Sequence, residues 1–170
     1  MILSSVKSIK CVKTVIVSIS TRSITIGDRV TLTRRITIED VKNFAKLTGD
    51  MNPVHLDAEY AKQTRYGKCI VHGILVQGLV SCLLGVHFPG IGCVAHAINC
   101  KFPEPLFVGE ICRIEAVVSK LRGRLATFDV NAYANERNTN VLIGKFDVFL
   151  TREQLSMKPP VNSEINYHSE

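Results

Sequence analysis

An α+β domain, in which an antiparallel β-sheet wraps one long central helix, is predicted from two features of the chain. Residues 70–86 are the most apolar segment and are apolar on nearly every side of a helix, the mark of a helix within a domain rather than on it. After Pro89-Gly90 the pattern changes to that of strands, with four long candidates at 94–102, 111–121, 125–134 and 141–150. The length of 170 residues suits one domain with tails. A chain of this size buries roughly 70% of its unfolded surface, so the fold needs no disulfide or metal staple.

Each element has its own local reason. In residues 29–38, Val30, Leu32 and Ile36 alternate with Arg29, Thr31, Thr33 and Arg35, which predicts a strand. The period then changes, because Ile38, Val41, Phe44, Ala45 and Leu47 share one face of a helix over 38–47. Glu39-Asp40 suit the positive end of that helix dipole, Gly49 stops it, and Asn52-Pro53 makes a turn. Residues 57–62 read as a short polar helix opening at an Asp57 cap. Gly123 and the 135–140 cluster supply turns between the later strands. From Thr151 the periodicity is lost and Pro159-Pro160 appears, so residues 151–170 are expected to be a flexible C-terminal tail.

Composition excludes several classes. With 46% hydrophobic and 21% charged residues the chain is not intrinsically disordered. The longest apolar run, 74–88, is broken by Gln77, Ser81 and His87 and is too short for a transmembrane helix. Lys7, Lys10, Lys13 and Arg22 account for four of the six net positive charges, and no acidic residue precedes Asp28. This basic, hydroxyl-rich start is the composition of a mitochondrial transit peptide, so residues 1–27 are set apart from the domain at 28–150. A true N-terminal strand is the competing reading, since 15–19 is β-prone. The rest of the chain lacks clustered Lys/Arg interleaved with aromatics, which speaks against a nucleic-acid partner. The six cysteines include no CxxC pair and read as reduced structural thiols. Cys93, His96 and Cys100 do not share a strand face, so no metal is expected there.

The segment Leu47-Thr48-Gly49-Asp50-Met51-Asn52-Pro53-Val54-His55 carries the chemistry. A carboxylate only accepts hydrogen bonds, whereas a neutral imidazole offers one donor and one acceptor. Asp50 and His55 together are therefore able to fix a water and move a proton near neutral pH. The alternatives are a turn-forming Asp50 and a buried, satisfied His55. His72-Gly73 stands at the entry to the apolar helix, where free N–H groups bind a developing oxyanion and glycine permits close approach. Close packing of Gly73 and a capping bond from His72 are the alternatives there.

Thr48 to His55, then Ile70-Val71-His72-Gly73, then Phe102-Pro103-Glu104-Pro105-Leu106-Phe107-Val108-Gly109-Glu110 resemble the MaoC-like (R)-specific enoyl-thioester hydratases of the hotdog superfamily, over about residues 28–150. With the basic N-terminal segment, the resemblance is nearest to the mitochondrial 3-hydroxyacyl-thioester dehydratases. It implies a hotdog fold and a homodimer with active sites near the subunit interface. It further implies reversible dehydration of (3R)-hydroxyacyl thioesters, on acyl carrier protein or CoA, in mitochondrial fatty acid synthesis in the matrix. Asp50 and His55 match the catalytic pair, and Gly73 matches the glycine whose N–H polarises the thioester carbonyl. Ser81 matches a serine that hydrogen-bonds the catalytic carboxylate in some members, and Asn52 the site-shaping asparagine; His72 takes no separate role. No cofactor is implied. Lys62, Arg65 and Lys68 offer a small basic set to an anionic carrier, or are simply a solvated face. A hotdog acyl-thioesterase and a non-catalytic acyl-thioester-binding or RNA-associated protein are the alternative functions.

Overall fold

Thr37 opens the first helix with a capping box: its hydroxyl accepts from the Asp40 N–H, while the Asp40 carboxylate accepts from the Thr37 N–H. In the computed structural model, which describes residues 23–156 and 163–167, this helix α1 (Ile38–Thr48) follows strand β1 (Arg29–Arg35). Next come α2 (Pro53–Leu56), α3 (Ala58–Lys62) and the central helix α4 (Gly73–Cys82), which continues as a π-helical turn over Leu83–His87. Strands β2 (Val94–Lys101), β3 (Ile111–Arg122), β4 (Leu125–Ala134) and β5 (Thr139–Phe149) follow. Helix α5 (Arg152–Ser156) and strand β6 (Ser163–Tyr167) complete the order.

The six strands form one sheet in the order β2-β5-β4-β3-β1-β6. The β1·β3, β3·β4, β4·β5 and β2·β5 pairs are antiparallel and only β6 runs parallel to its neighbour, β1. β4 alternates buried and half-buried residues along its whole length, turning Ala126, Phe128, Val130 and Ala132 toward the core. Opposite them lie Leu75, Val76, Val80, Leu83 and Leu84 of the helical segment. The architecture is the hotdog: a helix held against a curved, mainly antiparallel sheet. No helix among the described residues is long and apolar enough to cross a membrane.

Three elements differ from expectation. The apolar segment from Ile70 is helical only from Gly73, the entry that His72-Gly73 marks in the sequence, because Ile70 bridges Phe107 and the Val71 N–H donates to the Leu106 carbonyl, which holds 70–72 extended. Its burial is also one-sided, since Ile74, Gly78, Ser81 and Val86 remain exposed. In the stretch expected as a flexible tail stand α5 and β6. Gln154 of α5 is 6% exposed and its amide donates to the carbonyls of Pro89, Gly90 and Ile91, fastening that turn. Residues 1–22, most of the expected transit segment, lie outside the described residues; Ile24, at its end, is buried in the core.

Candidate active site

Gly49 ends α1 in the left-handed region (φ 78°), and its N–H returns to the Ala45 carbonyl at 2.8 Å. The chain leaves the helix abruptly and puts Asp50 on the next turn. The Thr48 hydroxyl accepts from the Asp50 N–H, and Asp50 Oδ1 from the Asn52 N–H, each at 3.3 Å. Asn52 Oδ1 then accepts from the Val54 N–H at 3.2 Å and caps α2, with Pro53 in its first position. Asn52 thus acts on the backbone that aims His55.

His55 is 9% exposed, and its Nδ1–H donates to the Ile70 carbonyl at 2.7 Å. A carbonyl only accepts, so the proton sits on Nδ1 and Nε2 keeps a lone pair. Burial lowers the His55 pKa; the Ile70 carbonyl opposes this, neighbouring His72 adds to it and Asp50 opposes it. The result is a neutral imidazole with a free basic nitrogen.

His72 is more deeply buried, at 3% exposure, and its ring stacks on that of His55 with centroids 3.8 Å apart and an interplanar angle of 29°. Its Nε2–H donates to the Asp50 carbonyl at 3.1 Å. One donor atom from each of Asp50, His55 and His72 lies within 4.8 Å of the other two.

Beside His72, Gly73 begins α4, whose first N–H groups have no acceptor within the helix. A Cβ at Gly73 would sit 3.0 Å from the Phe102 ring, so the phenyl occupies the space a side chain would take. His55, Gly73, Ile74, Val76, Phe102 and Leu106 line a cleft of about 610 Å³, together with the polar side chains Arg65, Tyr66, Glu104 and Arg137. His55 and a helix N-terminus thus face a groove of mixed apolar and polar lining, a geometry able to take an acyl chain and to set N–H donors at its carbonyl oxygen.

Of the residues singled out from the sequence, His55 and Gly73 line the cleft; Asp50 lies beside His55 and His72 but is not part of the cleft lining, and Asn52 holds the turn between Asp50 and His55. Ser81 does not line this cleft; it borders a separate small cavity with Leu84, Cys93 and Ile98. Lys62 is paired with Glu59 at 2.7 Å, which leaves Arg65 and Lys68 as the basic groups nearer the cleft. Cys93, His96 and Cys100 meet different neighbours: the Leu84 carbonyl, the Phe149 ring and the Gln77 side chain. The five cysteines among the described residues are free thiols, and burial pushes Cys112 up to about 12.

Sequence reasoning passed over Arg137, which fastens the cleft wall. It donates to Glu110 at 2.7 and 3.0 Å and to the Pro105 carbonyl at 2.6 Å, and lies 4.8 Å from the Phe107 ring centroid. Burial alone would raise the Glu110 pKa, but Arg137, the Phe107 N–H and Lys68 outweigh it and hold the carboxyl below its ordinary value. The turn at 135–140 was legible in the sequence; that it delivers a guanidinium to Glu110 was not.

Residues 22–139 match the family described as MaoC like domain. An (R)-specific enoyl-CoA hydratase of Aeromonas caviae is 38% identical over 103 residues, 61% of this chain and 77% of that protein. A solved (R)-hydratase structure from A. caviae superposes with a TM-score of 0.73 at 33% identity, covering 76% of this chain and 98% of that one. A 3-hydroxybutyryl-CoA dehydratase of Methylorubrum extorquens is 38% identical over 100 residues, and the match spans 56% of this chain but only 64% of that relative. A mitochondrial 3-hydroxyacyl-[acyl-carrier-protein] dehydratase of Arabidopsis thaliana is 26% identical over 139 residues, 79% of this chain and 82% of that one.

Proposed function

The chain belongs to the MaoC-like domain family, and from that premise we propose that it is a hydro-lyase that interconverts (3R)-hydroxyacyl thioesters and trans-2-enoyl thioesters. The observation that carries this reading is the His55 tautomer: Nδ1–H is tied to the Ile70 carbonyl, so the Nε2 lone pair is available beside the Asp50 carboxylate. In hydration, water is held between these two groups. Its oxygen bonds to C3, its proton is taken up by the pair, and a proton is returned to C2 on the same face. The C2=C3 π electrons pass meanwhile onto the thioester oxygen as enolate charge. The Gly73 N–H and the start of α4 face that charge, and a donor in such a role is typically worth ~3–4 kcal/mol in the transition state. Dehydration is the same path reversed.

The carrier is an acyl carrier protein or CoA, whose phosphates would meet Arg65 and Lys68. A mitochondrial role in fatty acid synthesis is supported by the acid-free basic N-terminus and by the plant mitochondrial relative. A homodimer is supported by exposed apolar surface on the outer strand β2 and on α4 with its π-helical continuation, where Val94, Ile98, Ile74 and Val86 are 39–63% exposed.

The deciding experiment follows enoyl-thioester absorbance with trans-2-enoyl-CoA and with the acyl-carrier-protein thioester, for wild type and Asp50→Asn. Loss of the band with wild type and at least about 100-fold slower loss with the variant is expected. Release of free thiol instead would make the protein a thioesterase. Residues 1–27 fused to a reporter should be imported and trimmed by isolated mitochondria; a reporter left outside removes the mitochondrial assignment.

A further inference from the structure

We propose that His72 is a positioning residue that locks Asp50 and His55 into one working geometry, an inference that rests on the hydro-lyase reading above. Three contacts of one buried ring carry it. The Nε2–H donates to the Asp50 main-chain carbonyl at 3.1 Å, tying the loop after α1 to the start of α4 across 22 residues of sequence. One face of the ring stacks on His55 at 3.8 Å, and the Phe44 ring of α1 lies tilted against His72 at 5.0 Å. The imidazole is thus wedged between the helix that delivers Asp50 and the side chain that shares its task.

The rest of the ring supports the assignment. As the residue preceding α4, His72 is placed to cap the helix with its side chain, but it makes no such bond. Its Nδ1 is fully buried and has no hydrogen-bond partner. A buried acceptor left unpaired is costly, and a residue kept only for fold stability would favour a capping Ser, Thr, Asp or Asn at this position. With the proton fixed on Nε2 by the Asp50 carbonyl, Nδ1 carries only a lone pair. The titratable groups facing His55 are Asp50 and His72 at close range, with Arg65, Tyr66, Glu104 and Arg137 elsewhere on the cleft wall. The stacked neighbour also takes part in keeping His55 neutral, after burial itself.

Two substitutions separate the contacts. His72→Phe keeps the ring and the stack but removes the N–H, so the Asp50 loop is released. It should lower kcat by about 10- to 100-fold with KM within about twofold, and the acid limb of the kcat/KM profile should move to higher pH only by the loss of the His72 charge that lowers the His55 pKa. His72→Gln keeps an N–H donor but removes the stack, so kcat should recover in part while the acid limb moves to higher pH as His55 becomes better solvated. Folded variants that both keep kcat within about twofold and an unmoved limb would overturn the proposal.

Should neither variant fold, ¹⁵N imidazole spectra of the wild-type protein decide. His72 protonated at Nε2 and His55 protonated at Nδ1 are the expected tautomers. His72 protonated at Nδ1 overturns the brace, because the Asp50 carbonyl would then lack its donor. A wild-type protein inactive on every enoyl thioester defeats the hydro-lyase reading instead, and the spectra still report whether the brace exists.

Discussion

Asp50, proposed to share the proton transfer, contributes little to the fold that carries it. Its side chain is 53% exposed, and its one main-chain duty is the Oδ1 bond to the Asn52 N–H at 3.3 Å. An asparagine offers the same acceptor oxygen, so Asp50→Asn should change unfolding free energy by no more than about 0.5 kcal/mol while activity collapses. A parallel fall in stability, read from a urea titration, would mean that the lost activity is a folding defect. The Asp50–His55 pair was legible from sequence because a glycine stop, a proline turn and a five-residue spacing are local features. The His72 contacts were not, since a ring stacked on His55 and a bond to the Asp50 carbonyl depend on where two distant segments meet.

At the scale of elements, the sheet owes one of its closest approaches to a missing side chain. A Cβ at Gly144 of β5 would fall 2.5 Å from the Cys100 Cβ and 2.6 Å from the Asn99 carbonyl oxygen of β2. Backbone in that position yields only by moving the strand. Gly144→Ala should therefore destabilise the protein by about 1–3 kcal/mol and loosen β2 first. Hydrogen exchange would read this as faster exchange in Val94–Lys101 than in β3 and β4, and uniform exchange with an unchanged urea midpoint would contradict it. Strands such as β4 were legible because alternation is intrinsic to the sequence. The apolar run from Ile70 turns helical only at Gly73, the entry legible in His72-Gly73, because the Ile70 bridge to Phe107 holds its first residues extended. Strand β6 was missed because it borrows its order from β1 and shows little period of its own.

For the molecule as a whole, burial of histidines sets a direction for pH dependence. His55 and His87 both have pKa values lowered from 6.5, chiefly by burial. Above that value both groups are neutral whether the chain is folded or not, and their full contribution to stability is present. As pH falls below it the unfolded chain takes up protons that the folded protein resists, so stability is lost until the lowered folded values are passed. Thermal midpoints at constant ionic strength should fall between pH 7.5 and 5.5, and a rise across that window would contradict the assignment. The pairing of β1 with β3 has a consequence of another kind. The chain between them carries Asp50, His55, Gly73 and the cleft wall, so the site lies inside one long closed loop. While the protein is being synthesised, β1 waits for Ile111–Arg122 to emerge before its antiparallel neighbour exists. These side chains are therefore made early and enclosed late, and a nascent chain stopped before β3 would hold them without the frame that sets their geometry.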